Sequence, residues 1–325
     1  MVEKRGCLLS YRPDIKVVDC TLRDGGLVNS FFFDDEFVKD LYLANIDAGV
    51  DYMEFGYKAS KKIFDVNKFG KWKFCDESDI REIVGNNDSN LKISVMADVG
   101  RTDMSDFLPK SESVIDLVRV ATYITTIPAA IEMVQTLHSL GYETSVNIMA
   151  VSKASESELD FALEQLGQSD VDCIYLVDSF GSLYPEQIRE LSHKYLACGE
   201  KYNKSIGIHA HNNQQLAFAN TVEALVPGVS YLDATMSSMG RGAGNCALEL
   251  LLGFLKNPRY QLPPVLRFIE KHITKLKNDG LVWGYDVPYM LTGRLNLHPS
   301  SAIQFIKDNK TDYADFYQEL FDNIC

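Results

Sequence analysis

Lys204-Ser205-Ile206-Gly207-Ile208-His209-Ala210-His211-Asn212-Asn213 is an apolar run that stops abruptly in polar groups. The segment that follows, Gln215 to Leu225, has helical spacing. A strand that passes directly into a helix is one βα unit, and the unit can be marked repeatedly along the chain. The strand-like runs are Val17–Cys20, Tyr52–Gly56, Leu91–Ala97, Val114–Val120, Thr144–Ala150, Cys173–Val177, Ile206–Ala210 and Tyr231–Ala234. Most are continuous apolar stretches, as parallel strands covered on the outside should be. Between them, Asp34-Asp35-Glu36 opens a helical pattern with acidic residues, and Pro185 opens another. Ile131–Leu140 and Leu159–Leu166 run up to Gly141 and Gly167, as helices stopped by a C-terminal glycine do. Asn245–Leu255 follows the last strand. Eight such units predict an α/β fold, a (β/α)8 TIM barrel, over residues 1–256. A doubly wound open sheet is the second choice, since it seldom needs eight regular units. Pro258, Pro263 and Pro264 break the rhythm, and residues 257–325 read as a helical C-terminal extension that packs on the barrel mouth or makes an interface.

The chain has 325 residues, 46% of them hydrophobic and 24% charged, which is enough to build a full core. A net charge of −13 argues against a nucleic-acid surface. No run approaches the length of a membrane span, and Met1 to Asp14 lacks the apolar stretch of a signal peptide. The seven cysteines form no CxxC pair, so reduced thiols and a cytoplasmic location are expected.

In such barrels chemistry sits on the loops after the strand C-termini, and the polar signatures fall there. Asp24 in Thr21-Leu22-Arg23-Asp24-Gly25-Gly26 follows the first strand; His209 and His211 end the seventh. On an extended chain residues two apart point to one side, so both imidazoles can face a metal that Asp24 reaches across the mouth. Carboxylate and imidazole together suit Mn, Mg, Fe, Co or Zn, with coordination positions left for substrate. Gly240-Arg241-Gly242-Ala243-Gly244-Asn245 ends the eighth strand as either a phosphate-type loop or a tight turn. Asn245 either gives the metal an amide oxygen or caps its helix. Arg23 is suited to an enolate oxygen forming beside the metal, or to a salt bridge with Glu54, which needs a partner in its apolar strand. Asp178, Ser179 and Asn147 also point towards the mouth or interior.

Asp19-Cys20-Thr21-Leu22-Arg23-Asp24-Gly25 resembles the opening signature of the metal-dependent pyruvate/acyl-CoA lyase and synthase superfamily, the 3-hydroxy-3-methylglutaryl-CoA lyase-like TIM barrels. The likeness continues through Val118-Arg119-Val120-Ala121-Thr122, Ile174 to Ser179, Gly207 to Asn213 and Gly242 to Glu249. The Arg-Val-Ala-Thr and His-Ala-His-Asn-Asn pieces are most similar to the 4-hydroxy-2-oxovalerate aldolases. The resemblance implies a divalent metal, usually manganese with Mg2+, Co2+ or Zn2+ as alternatives, held by Asp24, His209 and His211, with Asn245 completing the site. It implies that Arg23 steadies a pyruvate enolate and that Tyr289, in Gly284-Tyr285-Asp286-Val287-Pro288-Tyr289, orients the aldehyde part. Synthases continue Arg-Asp-Gly with an acidic residue and a glutamine, where this chain has Gly26 and Leu27. The aldolases carry a histidine base at the position of Leu27, so either another group moves that proton or the substrate differs; Tyr289, His298 and a metal-bound water are the candidates, His298 the most basic near pH 7.

The expected activity is therefore metal-dependent cleavage or formation of a carbon–carbon bond in a 4-hydroxy-2-oxo acid, giving pyruvate and an aldehyde. An acyl-CoA-dependent Claisen-type enzyme is the alternative, with Lys58, Lys61 and Lys62 as phosphate contacts. A non-catalytic barrel scaffold is the third reading, and Leu27 is its best support. Expected partners are a 2-oxo acid and an aldehyde, with a homo-oligomer left open. The aldolases' C-terminal region contacts a partner dehydrogenase, but Leu291 to Pro299 departs from their pattern, which puts such a partner in doubt here.

Overall fold

The computed structural model describes residues 11–324, and all eight expected strands are present. They are β1 (Lys16–Asp19), β2 (Tyr52–Tyr57), β3 (Lys92–Asp98), β4 (Leu117–Tyr123), β5 (Glu143–Met149), β6 (Cys173–Asp178), β7 (Ser205–Ala210) and β8 (Tyr231–Ala234). Neighbours in sequence pair in parallel, and β1 closes on β8 from Lys16–Tyr231 to Asp19–Ala234. That closure excludes the open sheet. β4 begins at Leu117 rather than Val114, because Val114 and Ile115 are buried ahead of the ladder.

Within the apolar runs, alternation decides which side chain goes where. Val17, Met53, Phe55, Val118, Val120, Ile174, Leu176, Ile206, Ile208 and Leu232 join the large core under the helices. The alternate residues Val18, Cys20, Tyr52 and Leu117, and likewise Cys173, Tyr175 and Val177, form two small clusters bridged by Tyr231. Above those clusters the interior turns polar, with Glu54, Arg119, Asp233 and His209 all buried. The barrel is thus floored by apolar groups and topped by charge.

The helices are α1 (Thr21–Asn29), α2 (Asp35–Ala48), α3 (Glu77–Val84), α4 (Ile127–Ser139), α5 (Glu156–Gly167), α6 (Pro185–Tyr202), α7 (Ala217–Leu225) and α8 (Leu248–Phe254). The Asp34 carboxylate caps α2 by accepting from Phe37 N at 2.7 Å. Gly141 follows α4 at φ +93°, whereas Gly167 is the last residue of α5 and not its stop.

The barrel's core does not end at residue 256. Tyr260, Val265, Phe268 and Ile273 belong to it, and α9 (Leu262–Phe268) packs against α2 and α8. α10 (Thr274–Asn278) continues α9 through a π-turn, Ile269–Ile273. A separate cluster of Leu291, Phe305, Phe316 and Leu320 begins only with α11 (Val287–Arg294), α12 (Ser300–Lys307) and α13 (Tyr313–Asp322). Asn296 ties this unit to the strand-end loops, donating to Ser152 O at 2.9 Å and accepting from Ser182 Oγ at 3.0 Å. Asn213 and Gln214 donate to the Tyr289 and Met290 carbonyls at 3.2 and 2.9 Å. The C-terminal helices therefore sit on the barrel mouth. Among the described residues no helix is long and apolar enough to cross a membrane. Five described cysteines are free and buried; Cys7 and Cys325 lie outside the described residues.

Candidate active site

Arg23 and Asp24 are not at a strand end, as the sequence suggests, but in the first turn of α1, which starts directly after β1. The paired glycines Gly25 and Gly26 disfavour a helix, yet Leu22 is fully buried and the Phe31 ring folds back against the turn. A Cβ on Gly26 would stand 2.1 Å from that ring, so packing requires the glycine that propensity counts against. Asp19 anchors the turn by accepting from Thr21 N at 3.0 Å and Asn45 Nδ2 at 2.7 Å.

From Arg23 a chain of opposite charges crosses the barrel. Arg23 binds Asp24 through Nη1 and the Glu54 carboxylate through Nε at 2.7 Å. Glu54 also accepts from Arg119 Nη1 at 3.0 Å, and Arg119 Nη2 reaches Asp233 at 2.5 Å. Asp233 then accepts from His209 Nδ1 at 2.9 Å. Three carboxylates meet two guanidinium groups, which leaves this linked network one charge negative and its Asp24–His209 end receptive to a cation.

The loose ends of this chain point at one place. Asp24 Oδ2 and His209 Nε2 lie 3.6 Å apart, and both are buried without a hydrogen-bond partner. Asn245 Oδ1 is a third buried orphan, while its Nδ2 donates to Met239 O at 3.1 Å. Asn245 pairs with His211 in an isolated bridge and caps nothing, since α8 starts only at Leu248. A Cβ on Gly240 would fall 2.3 Å from Asn245 Nδ2 and 3.5 Å from Asp24 Cβ, so the loop closes down on this spot. Carboxylate oxygen, imidazole nitrogen and amide oxygen, each unsatisfied and buried, fit a divalent cation.

His211 stacks edge-on to His209, ring centroids 4.9 Å apart, and donates through Nδ1 to Asp178 O at 3.0 Å. Its Nε2 is then the acceptor. Burial, and then the neighbouring His209 and Arg241, hold its pKa well below the usual imidazole value, the neutral state a ligand needs. His211 does not share the compact cluster, within 4.8 Å, that Asp24 and His209 make with Cys20. The Cys20 thiol accepts from Arg119 at 3.4 Å, and burial with the adjacent Asp233 and Glu54 pushes its pKa well up. The thiol thus already has a partner, and its side chain packs in the apolar cluster with Val18, Tyr52 and Leu117, whereas the orphaned oxygen and nitrogen atoms have none.

Asp233, which the sequence reading passes over, sets the His209 tautomer. Burial alone would raise its pKa, but Arg119 and His209 outweigh this and bring it to about 2. Because the folded value lies below the unfolded one, the stabilisation is complete above pH ~4 and is lost as pH falls towards about 2. Asp233→Asn is expected to weaken Mn2+ binding by roughly 10–100-fold and to flatten the acid limb of a urea-stability profile. Unchanged affinity would show that His209 needs no orienting carboxylate.

A cavity of about 100 Å3 opens on these groups. At about 10–15 Å3 for each water, it has room for a small acid. Arg23, Asp24, His209 and His211 line it, with Asn147 and Ser179, and so do three groups the sequence did not single out as catalytic, Tyr57, Tyr123 and Arg241. Arg23 Nη2 makes no hydrogen bond among the described residues and is the donor left for a ligand. Leu27 lines the cavity one helical turn beyond Asp24, on the same face. His298 also reaches it, its Nε2 lying 3.1 Å from Arg241 Nη1. Tyr289 does not line the cavity; its ring packs where a Cβ on Gly242 would stand 3.2 Å away. Asp178 turns its carboxylate to Ser182 N and Leu183 N, at 3.0 and 3.3 Å, and meets the site only through its carbonyl.

Comparison with known proteins places this geometry. A 4-hydroxy-2-oxovalerate aldolase of Bacillus cereus is 28% identical over 253 residues, covering 78% of this chain and 72% of its own. An oxaloacetate decarboxylase of Mycobacterium tuberculosis is 28% identical over 244 residues, covering 74% and 69%. The crystal structure of the N-terminal domain of an inferred aldolase from Bacteroides vulgatus superposes with a TM-score of 0.74 at 27% identity, over 90% of this chain and 96% of that one. The HMGL-like family profile matches residues 14–269, the barrel together with α9, and the chain belongs to the HMGL-like family.

Proposed function

We propose that the protein is a divalent-metal-dependent carbon–carbon lyase that breaks, or in reverse forms, the C3–C4 bond of a 4-hydroxy-2-oxo acid, giving pyruvate and an aldehyde. The observation that carries this reading is the pair of buried orphans Asp24 Oδ2 and His209 Nε2, 3.6 Å apart and lining the cavity with Arg23, with the orphaned Asn245 held against Gly240 next to Asp24. With His211 they would hold the cation, most simply Mn2+ for a mixed oxygen and nitrogen donor set. Such a cation supplies Lewis-acid polarisation of the 2-oxo group. The chain's own residues do the rest. Arg23, braced by Glu54 and Asp24, offers Nη2 to the oxygen on which enolate charge develops. A base takes the C4 hydroxyl proton, the C3–C4 electron pair moves into the enolate, and C3 is then protonated to give pyruvate. Leu27 cannot be that base. Tyr57, Tyr123 and His298 also line the cavity; burial raises the Tyr57 pKa, whereas burial and then Arg241 lower that of His298, so its imidazole is the neutral acceptor at physiological pH. Buried, unpaired cysteines suit a reducing compartment such as the cytoplasm.

Leu27 favours a second reading. Decarboxylation of a 3-carboxy-2-oxo acid breaks the same C3–C4 bond with no hydroxyl proton to remove, and one relative is named an oxaloacetate decarboxylase. The test is pyruvate release from a panel of 4-hydroxy-2-oxo acids and from oxaloacetate, with Mn2+ and with the metal chelated. Metal-dependent release from the hydroxy acids supports the aldolase reading, and release from oxaloacetate alone selects decarboxylation. No release from either, despite tight Mn2+ binding, turns the assignment to acyl-CoA chemistry. Leu27→His should raise turnover of 4-hydroxy-2-oxovalerate by roughly 10²-fold or more, the usual worth of a positioned base. No gain would mean that the proton already has a carrier.

A further inference from the structure

The cavity holds one cation that the charge network leaves over. Arg23 and Arg119 are each held by two carboxylates. Arg241, in the loop after β8, lines the same cavity, yet among the described residues it forms no ion pair. Its Nε is buried without a hydrogen-bond partner. Its Nη1 meets only the neutral ring of His298, at 3.1 Å. That contact is itself contested, because a neutral imidazole has a single acceptor nitrogen and Ser300 N points at Nδ1 from 3.2 Å. Protonating His298 would instead set two cations face to face. Burial lowers the Arg241 pKa, as expected of a guanidinium enclosed without a counter-charge. An enclosed guanidinium of this kind is matched to a planar oxyanion arriving from outside.

We propose that Arg241 receives a second anionic group of the substrate: a carboxylate or a phosphate monoester carried on the part that leaves as the aldehyde or, in decarboxylation, the carboxylate that itself leaves as carbon dioxide. The inference rests on the proposed function for the placement of the 2-oxo acid end at Asp24, His209 and His211. The substrate then carries at least two negative charges, unlike the neutral-tailed 4-hydroxy-2-oxovalerate. The oxyanion also draws Arg241 off His298 and frees its ring nitrogen.

Binding tests this without turnover. Dissociation constants are measured calorimetrically on the Mn2+-loaded protein for two matched pairs, 2-oxoglutarate against 2-oxopentanoate and phosphohydroxypyruvate against hydroxypyruvate. At least one anionic probe should bind roughly 10–100-fold more tightly than its neutral counterpart, the worth of a charged hydrogen-bonded pair. The pair that shows the preference identifies a carboxylate or a phosphate as the group recognised. Arg241→Gln should erase the preference while leaving the neutral probe within about threefold, and Arg241→Lys should retain part of it. No preference in either pair, or no binding at all, overturns the proposal. So does an equal loss for anionic and neutral probes in Arg241→Gln, which would put the guanidinium on the carboxylate common to both. A preference that persists in a protein releasing no pyruvate would sink the lyase reading and leave this inference standing.

Discussion

Asp24→Asn is expected to abolish Mn2+ binding and metal-dependent pyruvate release while leaving the barrel folded. Asp24 Oδ2 is buried with no protein partner and faces His209 Nε2 at 3.6 Å, so the folded chain gains little from that oxygen except through a ligand. The amide removes the negative charge and presents either a neutral oxygen or an N–H to the site. Loss of a Lewis acid worth several kcal/mol corresponds to roughly 10³-fold or more in kcat/KM. His209→Ala should behave in the same way, with the added cost of leaving Asp233 short of one partner. Calorimetric Mn2+ titration and circular dichroism separate the two effects. Near-normal activity in either variant would refute the metal assignment. An Asp24→Asn protein that binds no metal and also unfolds would instead show that Asp24 matters through its ion pair with Arg23.

Arg119→Leu is expected to cost about 3–5 kcal/mol of stability, the range for removing one partner of a buried ion pair. Arg119 is fully buried, bonds both Glu54 and Asp233, and stacks on the Tyr175 ring with its guanidinium carbon 4.4 Å from the centroid. Leucine fills part of the volume and leaves both carboxylates without that cation. Glu54 keeps Arg23, whereas Asp233 keeps only His209, so the carboxylate that orients this ligand loses its second anchor. Urea unfolding gives the stability change, and Mn2+ affinity should fall with it. Neutralising Asp233 in the same chain, Arg119→Leu with Asp233→Asn, should recover part of the stability, since a buried pair removed whole costs far less than one broken. A single-variant loss under about 1 kcal/mol would mean that water reaches the barrel interior and screens the pair.

The barrel was legible because its signals are local. Eight apolar runs, separated by helical spacing and closed by turn residues, specify βα units wherever they occur, and parallel order follows from the crossovers. The HxH pair was legible for the same reason, as period-2 geometry on one strand puts both rings on one side. Asp24 was found as a residue but misplaced on a strand end, because Gly25-Gly26 carries no helical signal. Leu22 burial and the Phe31 ring make the helix there. Glu54 and Arg119 each stand in an apolar strand, and only the expectation that such a charge needs a partner flagged Glu54. The partnership itself joins β2, β4 and β8, residues 54, 119 and 233, and no local pattern can express a contact across such separations. Arg241 was visible as a member of a glycine-rich loop. That it forms no ion pair among the described residues depends on what the C-terminal helices bring over the mouth, where His298 meets its Nη1. Residue type and spacing settled the architecture and most of the donor atoms. Which of those atoms are satisfied and which are left facing the cavity depends on distances across the closed barrel, where burial makes every unpaired charge costly.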